Sequence, residues 1–343
     1  MRSKIFILLI LTANLLVGCA PKYPDISARV TRQELLLPKY YFYNNVIWLS
    51  DDQTALTYYS TLKSTFAGES LSIYHLSTNE MIDIPMPLRS SSCEFDWTPF
   101  SIAMSPNGNL AFNTECEPPT SPQLLMEYDP KTGELKQLFD YGDTFMTHFS
   151  FISPDQVVQE NAVGYPMSNE LWVISLVSQT KTQILTNFLR ASDPTWSPQK
   201  KLLAFWGTEK FPENKPKDLY TSEDIARLVK YPWDLYVMDE NADHIRKVFP
   251  LVTNAKWLEW SPDGTLLAFG GTIDNVEGIW LLDINNPNPV RIFDHSWLFA
   301  WSPDGKKIMT IETKFPDEKN NDVPVKAYIL AMPECAFSRS CDK

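Results

Sequence analysis

The histidines and the short sequence motifs around them decide which chemistry this chain can perform. The four histidines are His75, His148, His244 and His295, and no two stand at the spacing of a metal-binding pair such as H-x-x-x-H. The sequence has no C-x-x-C pair, no G-x-S-x-G nucleophile elbow, no calcium loop and no phosphate-binding glycine pattern. These observations predict no metal, no cofactor and no catalytic residue, so an enzyme is the less favoured reading.

The N-terminus predicts export and lipidation. Arg2 and Lys4 precede an apolar stretch, residues 5–17, which is too short to span a bilayer comfortably, and Leu-Val-Gly-Cys follows at 16–19. This ending resembles the bacterial lipobox, in which the cysteine is acylated; the alternative is an ordinary signal peptide with a chance cysteine. We therefore expect a signal peptide at 1–18 and a lipid on Cys19. The protein is then anchored in the bacterial cell envelope: on the outer membrane facing the periplasm in a Gram-negative organism, otherwise on the cell surface.

One repeated sequence motif, a short phrase of residues, organises the chain after the signal peptide. Trp-Ser-Pro-Asp-Gly occurs at 260–264 and again at 301–305, each time between two apolar runs. Proline supplies the φ of a first turn position, aspartate bonds its own downstream backbone, and glycine accepts positive φ, so each copy predicts a tight hairpin. Weaker copies of the phrase lie at 49–52, 104–108, 152–155 and 196–198. Six repeat units result.

Further strand-like runs follow each hairpin. The third run of each unit lies at 71–74, 124–128, 171–174, 234–238, 278–282 and 327–330. A fourth run follows in five units, at 81–84, 135–139, 182–185, 245–249 and 290–293. Four strands at a period of about 40 to 50 residues are typical of a propeller blade. The sequence thus predicts an all-β, six-bladed β-propeller of four-stranded blades.

The Trp-Ser-Pro-Asp-Gly phrase and the run Leu-Tyr-Val-Met-Asp at 235–239 resemble the repeats of TolB-like six-bladed β-propellers, over roughly residues 30–335. The resemblance implies the fold. It leaves the activity open, since such repeats occur in partner-binding periplasmic proteins, in propellers that gate peptidases and in a few lyases. TolB carries an α/β domain before its propeller and this chain has no room for one, so we do not transfer the partners of TolB.

The N-terminal segment is expected to close the ring. The sixth unit lacks a fourth apolar run, whereas residues 33–37 stand at the right offset before the first turn and are halted by Pro38. We predict that residues 33–37 form the outermost strand of the last blade, beside 327–330. Residues 19–30 are then a lipidated tether, and 31–343 form the propeller, with an insertion at 207–233 in blade 4.

Four cysteines remain after lipidation, and an exported protein is expected to pair them. Cys93 and Cys116 fall in two kinds of loop that open on the same propeller face, and Cys335 and Cys341 lie close together near the C-terminus. We therefore predict disulfides Cys93–Cys116 and Cys335–Cys341; the alternative is free buried thiols.

Long loops on one face predict a binding surface. The strand B–C loops and the connections between blades are longer than the hairpin turns, above all at 207–233, where Thr221 and Ser222 precede a short amphipathic pattern typical of a helix. Trp97, Trp206 and Trp233 lie at or near this rim, where aromatic rings stack on sugars or grip peptides. His148 lies in an innermost strand near the axial channel, as a possible ligand contact or as a structural histidine.

The charge of the chain limits its partners. The net charge is −12, and removal of Arg2 and Lys4 with the signal peptide makes it −14, so nucleic acid is not an expected partner. We predict a monomeric, envelope-anchored lipoprotein that reaches the membrane through its lipid. Its propeller binds a protein, peptide or glycan without catalysis. The alternative is a propeller enzyme, either a polysaccharide lyase or a quinoprotein-type dehydrogenase.

Overall fold

A computed structural model provides the structure of the chain. It describes residues 23–38, 41–60, 70–86, 97–116, 123–142, 144, 146–163, 168–209, 231–240, 243–312 and 325–338. Within these ranges the chain is almost entirely strand, in a propeller-like arrangement of four-stranded blades. The predicted all-β class is therefore confirmed. The expected lipidation site at Cys19 lies outside the described residues.

Three sheets are each built from four strands that follow one another in the chain and pair antiparallel. Strand β1 (Thr31–Glu34) precedes them. The first sheet contains β2 (Tyr41–Ser50), β3 (Gln53–Ser60), β4 (Ser70–His75) and β5 (Glu80–Asp83). The second contains β6 (Trp97–Met104), β7 (Leu110–Cys116), β8 (Gln123–Tyr128) and β9 (Leu135–Gly142). The third contains β10 (Met146–Ser153), β11 (Gln156–Val163), β12 (Ser168–Ser175) and β13 (Thr180–Ile184).

The next sheet has seven strands, because one long strand serves both of its halves. The strands are β14 (Arg190–Ser197), β15 (Leu202–Thr208), β16 (Trp233–Asp239), β17 (Arg246–Trp260), β18 (Leu267–Ile273), β19 (Val276–Asp283) and β20 (Asn286–Phe293). Residues 246–252 of β17 pair with β16, and residues 253–260 pair with β18. Leu251 and Asn254 have φ of 60° and 51° between the two halves. The chain thus passes from one group of four strands to the next within one strand, whose extended backbone is interrupted at these two left-handed residues.

The last sheet joins the two ends of the described chain. It contains β21 (Leu298–Trp301), β22 (Lys307–Ile311) and β23 (Ala327–Ala331), and β1 completes it beside β23. Thr31 stands opposite Ala331 and Glu34 opposite Tyr328. The predicted pairing of an N-terminal strand with the last strand is confirmed, although the strand covers 31–34 rather than 33–37.

Residues 23–30, within the predicted lipidated tether, pack against the propeller. Ile26 and Val30 are 3% and 5% exposed and belong to an apolar cluster with Trp297. The Ile26 N–H donates to the Arg291 carbonyl, and the Arg291 N–H donates to the Pro24 carbonyl, both at 2.9 Å. Residues 23–30 therefore lie along the edge of β20, because burial of the apolar Ile26 and Val30 side chains in the core is favourable.

The turns have the chemistry that the repeated phrase predicts. Gly264 and Gly305 have φ of +68°. The Ser261 N–H donates to the Leu266 carbonyl at 2.8 Å, and Asp263 Oδ1 accepts the Thr265 N–H at 3.0 Å. A Cβ on Gly264 would also lie 2.6 Å from Ser197 Oγ, so this glycine is required both by its backbone angle and by its neighbour.

Few helices are described. Beside a 3-10 turn at Ser27–Arg29, the described residues contain helix α1 (Glu334–Ser338), and no described helix is long and apolar enough to cross a membrane. Cys335 in α1 is disulfide-bonded. Its predicted partner Cys341, the predicted helix after Ser222, and Cys93 all lie outside the described residues.

Candidate functional site

A cavity of about 280 Å³ lies where the innermost strands of the sheets meet. Six strands line it: β2, β6, β10, β14, β17 and β21. Its walls combine apolar side chains with polar groups, and its titratable lining side chains are His148, Asp193 and Glu259. A cavity in which apolar walls meet a few convergent polar and titratable groups is typical of a ligand site.

Breaks in register shape this cavity. Five lining strands carry a bulge or irregularity part-way along, between residues 43 and 45, 99 and 101, 146 and 149, 192 and 195, and 256 and 259. A bulge inserts an extra residue and re-aims side chains. Asp193 and Trp257 lie within two of these bulges and have φ of 50° and 57°. Local backbone irregularity thus positions the channel side chains.

Two of these strands, β10 and β14, and the neighbouring β11 bring one imidazole and two carboxylates together. His148 Nδ1 lies 3.2 Å from Glu160 Oε2 and 3.1 Å from Asp193 Oδ1. The side chains of Glu160 and Asp193 are 3% and 12% exposed, whereas that of His148 is 40% exposed. The group therefore has two enclosed carboxylates and one imidazole that opens into the channel. We call it the channel triad.

Neighbouring polar groups fix the Glu160 carboxylate. Asn169 Nδ2 donates to Oε1, while Ser192 Oγ and the Asp193 N–H each donate to Oε2 at 2.9 Å. Glu160 lies on β11 and Ser192 on β14, so these bonds cross from one sheet to the next. A buried carboxylate with this many donors has a defined orientation.

Each residue of the triad shifts the pKa values of the others. Enclosure by protein lowers the pKa of His148, but the neighbouring Asp193 and Glu160 charges outweigh it and raise that pKa to about 9. Burial raises the pKa of Asp193 to about 6, with the Glu160 charge adding to the rise and the His148 charge opposing it. Burial also acts to raise the pKa of Glu160, yet its hydrogen bonds and the His148 charge hold it below the usual range. The triad at neutral pH is an imidazolium between two carboxylates.

Glu259 is a second acid on the channel wall. It lies on β17, and its Oε2 accepts the Trp301 N–H of β21 at 3.2 Å. Burial raises its pKa to about 8, against the smaller opposing effect of the Trp301 hydrogen bond. Glu259 is therefore a neutral carboxylic acid at pH 7.

The structure places the predicted binding residues in different environments. His148 lies in an innermost strand on the channel, where the sequence placed it, and its binding role stays a prediction. Trp206 is 0% exposed, so its assignment to a binding face is wrong: β15 is buried on both of its faces, and the ring packs edge-on against Phe269. Trp97 begins β6, and its side chain lies outside the described part of the structure.

Trp233 is half-buried at the start of β16. The Arg190 guanidinium lies over its ring, 3.6 Å from the centroid. Arg190 also donates to Thr208 Oγ1 at 3.1 Å and to the Tyr231 carbonyl at 2.7 Å. Burial lowers the pKa of Arg190 to about 10. One face of the indole is thus covered by a cation of the chain itself, which leaves less of the ring for a partner.

Glu160 and Asp193 were missed by the sequence reasoning, although each had a signal. Asp193 precedes Pro194 inside an otherwise strand-like stretch, and proline within a strand indicates a bulge. Glu160 sits between Gln159 and Asn161 in a second strand, and buried polar runs need partners. Their meeting with His148 depends on the packing of two sheets, which no local spacing reports.

Comparison with known proteins addresses the fold. No family model matches the chain, and no curated protein matches it in sequence. Solved structures do. An oligogalacturonate lyase in complex with manganese has a TM-score of 0.52 at 13% identity, covering 90% of this chain and 98% of the other. TolB from Acinetobacter baumannii has a TM-score of 0.52 at 11% identity, covering 92% and 86%. A luciferin-regenerating enzyme has a TM-score of 0.53 at 13% identity, covering 88% and 95%. At these identities the likeness concerns the fold alone, and it supports a TolB-like β-propeller.

Proposed function

We propose that the protein is an envelope-anchored lipoprotein whose six-bladed propeller is a non-catalytic binding module. Counting β17 once for each of its two halves divides the seven-stranded sheet into two four-stranded blades, which with the other four sheets makes six. The six strands lining the axial cavity support the same count. The proposed module works as a monomer and takes a protein, peptide or glycan.

The anchor rests on the Leu-Val-Gly-Cys ending at 16–19. Acylation of Cys19 by several chains holds a protein stably at a membrane, where one chain would not. Metabolic labelling with an alkyne fatty acid tests this step: label is expected on the wild-type chain and absent from Cys19→Ser. Label that persists in Cys19→Ser would refute lipidation at this residue.

The binding role rests on one observation, the opening of His148 into the axial cavity. One ring nitrogen of His148 faces two carboxylates, and among the described residues the other, Nε2, has no hydrogen-bond partner. The Trp257 ring lies beside this imidazole in a T-shaped arrangement, with ring centroids 6.3 Å apart. A donor next to an aromatic ring suits a sugar hydroxyl or a peptide carbonyl.

Cross-linking in the native envelope tests this role. Wild-type protein is expected to capture a defined partner or glycan, and His148→Ala is expected to lose it. His244→Ala is the matched control, since His244 also contacts a carboxylate, Asp239 at 2.8 Å, but is 89% exposed. Equal capture by wild type and His148→Ala would move the binding site away from the channel.

A second function, a polysaccharide lyase, is favoured by the same triad. An imidazole and two carboxylates on a channel wall are groups that could move a proton next to a sugar carboxylate. The fold is shared with an oligogalacturonate lyase. Incubation with oligogalacturonate tests this reading: growth of the ultraviolet absorbance of an unsaturated product in wild type, and its loss in His148→Ala, would replace the binding role by catalysis. No absorbance change is expected from a binding module.

A further inference from the structure

We propose that His148, Glu160 and Asp193 form a binding site for one divalent transition-metal ion on the wall of the axial channel. The three residues come from β10, β11 and β14, and one ligand atom from each lies within 4.8 Å of the others. The site is independent of the proposed binding role, because it holds whether the channel ligand is bound or transformed.

The distances are those of atoms that share an ion. Nitrogen and oxygen ligands lie about 2.0 to 2.2 Å from a zinc ion, which places neighbouring ligands of one ion roughly 3 to 3.4 Å apart. His148 Nδ1 is 3.2 Å from Glu160 Oε2 and 3.1 Å from Asp193 Oδ1. A proton on Nδ1 would occupy the same space between these atoms as the ion. An ion that displaces this proton needs only small movements of the three side chains.

The chemistry of the ligands selects the class of metal. Calcium and magnesium prefer oxygen ligands throughout, whereas one imidazole with two carboxylates suits manganese, iron, cobalt, nickel or zinc. The two carboxylates are enclosed side by side and need a positive partner. Either a proton on His148 or a metal ion meets that need.

The surroundings resemble those of a metal site that keeps open positions. Asn169 and Ser192 donate to the Glu160 carboxylate, and outer hydrogen bonds of this kind orient metal ligands. The 40% exposure of His148 opens the triad to a cavity of about 280 Å³. Three protein ligands beside open space leave coordination positions for water or for a channel ligand.

Calorimetric titration of the full mature chain tests the site. The protein is purified without a histidine tag, treated with chelator, and titrated with Mn²⁺, Co²⁺, Zn²⁺ and Ca²⁺. One transition ion per chain is expected, bound more tightly than Ca²⁺. His148→Ala and Asp193→Asn are each expected to weaken binding by more than about tenfold. His244→Ala, which removes a surface imidazole 2.8 Å from Asp239, is expected to retain the wild-type affinity.

The visible absorption spectrum of bound Co²⁺ separates the loss of a ligand from misfolding. It reports which side chains bind the ion in the wild-type chain, and it reports how those ligands change in the conservative Asp193→Asn variant. A cobalt spectrum that shifts in Asp193→Asn supports the site. The absence of saturable binding would mean that the triad is an internal ion pair only, and would overturn the proposal. Undiminished affinity in His148→Ala would place the ion elsewhere, and preference for Ca²⁺ would overturn the class of metal.

Discussion

Glu259 gives the sharpest test of the channel electrostatics. In the folded chain its pKa is raised from 4.5 to about 8, whereas in the unfolded chain it has the ordinary value. Between these two values the folded state holds a proton that the unfolded state releases, so stability is greatest at low pH and falls as pH rises through the window. Glu259→Gln keeps the size of the side chain and stays neutral, which removes this loss. The amide oxygen still accepts the Trp301 N–H.

The magnitude follows from the size of the shift. Each pKa unit corresponds to about 1.4 kcal/mol, which sets an upper limit of about 5 kcal/mol above pH 8. Because Glu259 borders a solvent-accessible channel, water lowers the destabilisation below this limit. We expect Glu259→Gln to be about 2 to 4 kcal/mol more stable than wild type at pH 8. The two proteins should converge near pH 4.5.

Urea unfolding at half-unit steps from pH 4.5 to 8.5 measures the difference. His148 and Asp193, the other titratable side chains lining the cavity, titrate in both proteins, so subtraction isolates Glu259. Glu134→Gln, which removes one carboxylate from an exposed turn, is the matched control. A Glu259→Gln variant whose stability differs from wild type by the same amount at every pH, or that is less stable at pH 8, would refute the buried neutral acid.

Three further predictions concern packing. Trp206→Ala should lower the free energy of unfolding by about 3 to 5 kcal/mol in urea, because the ring is fully buried; a change below about 1 kcal/mol would place the ring at the surface. Arg190→Lys should cost about 1 to 2 kcal/mol in the same assay, since lysine loses the stacked guanidinium on Trp233 and one of two hydrogen bonds; an unchanged midpoint would contradict this. Deletion of 19–34 should lower the melting temperature by several degrees relative to deletion of 19–22, because it strips β1 and two buried apolar side chains; equal melting would refute a structural role for the N-terminal segment.

The strands were predictable because their signals are local. The Ser-Pro-Asp-Gly turns specify hairpins through the φ of proline and glycine and the side-chain bonds of aspartate, and these act within a few residues. The missing fourth run after Leu330 and the apolar run after Thr31 could be matched for a similar reason, since an unpaired strand edge requires a partner. Only the extent of that strand was misjudged, by two or three residues.

The side-chain environment was less predictable, because it depends on neighbouring sheets. Trp206 was placed at the rim because it precedes the long loop at 207–233, but a blade between two others buries both faces of its inner strands. The channel triad depends on bulges in β10 and β14 and on a positive φ at Asp193, which is an uncommon angle for a residue with a Cβ. Of these features, only the bulge in β14 is indicated by the sequence, through Pro194.

The position of the triad would couple the binding of an ion or ligand there to the integrity of the ring. Backbone ladders run within each sheet, whereas Glu160 on β11 bonds Ser192 and the Asp193 N–H on β14, and so joins two sheets through side chains. Glu259 on β17 does the same for Trp301 on β21. Any ion or ligand held between His148 and Asp193 binds the assembled ring better than a ring whose sheets have separated, and mass action converts that preference into stability. The inter-sheet bonds of Glu160 and Glu259 at the channel and the β1–β23 pairing in the last sheet therefore both hold the sheets together.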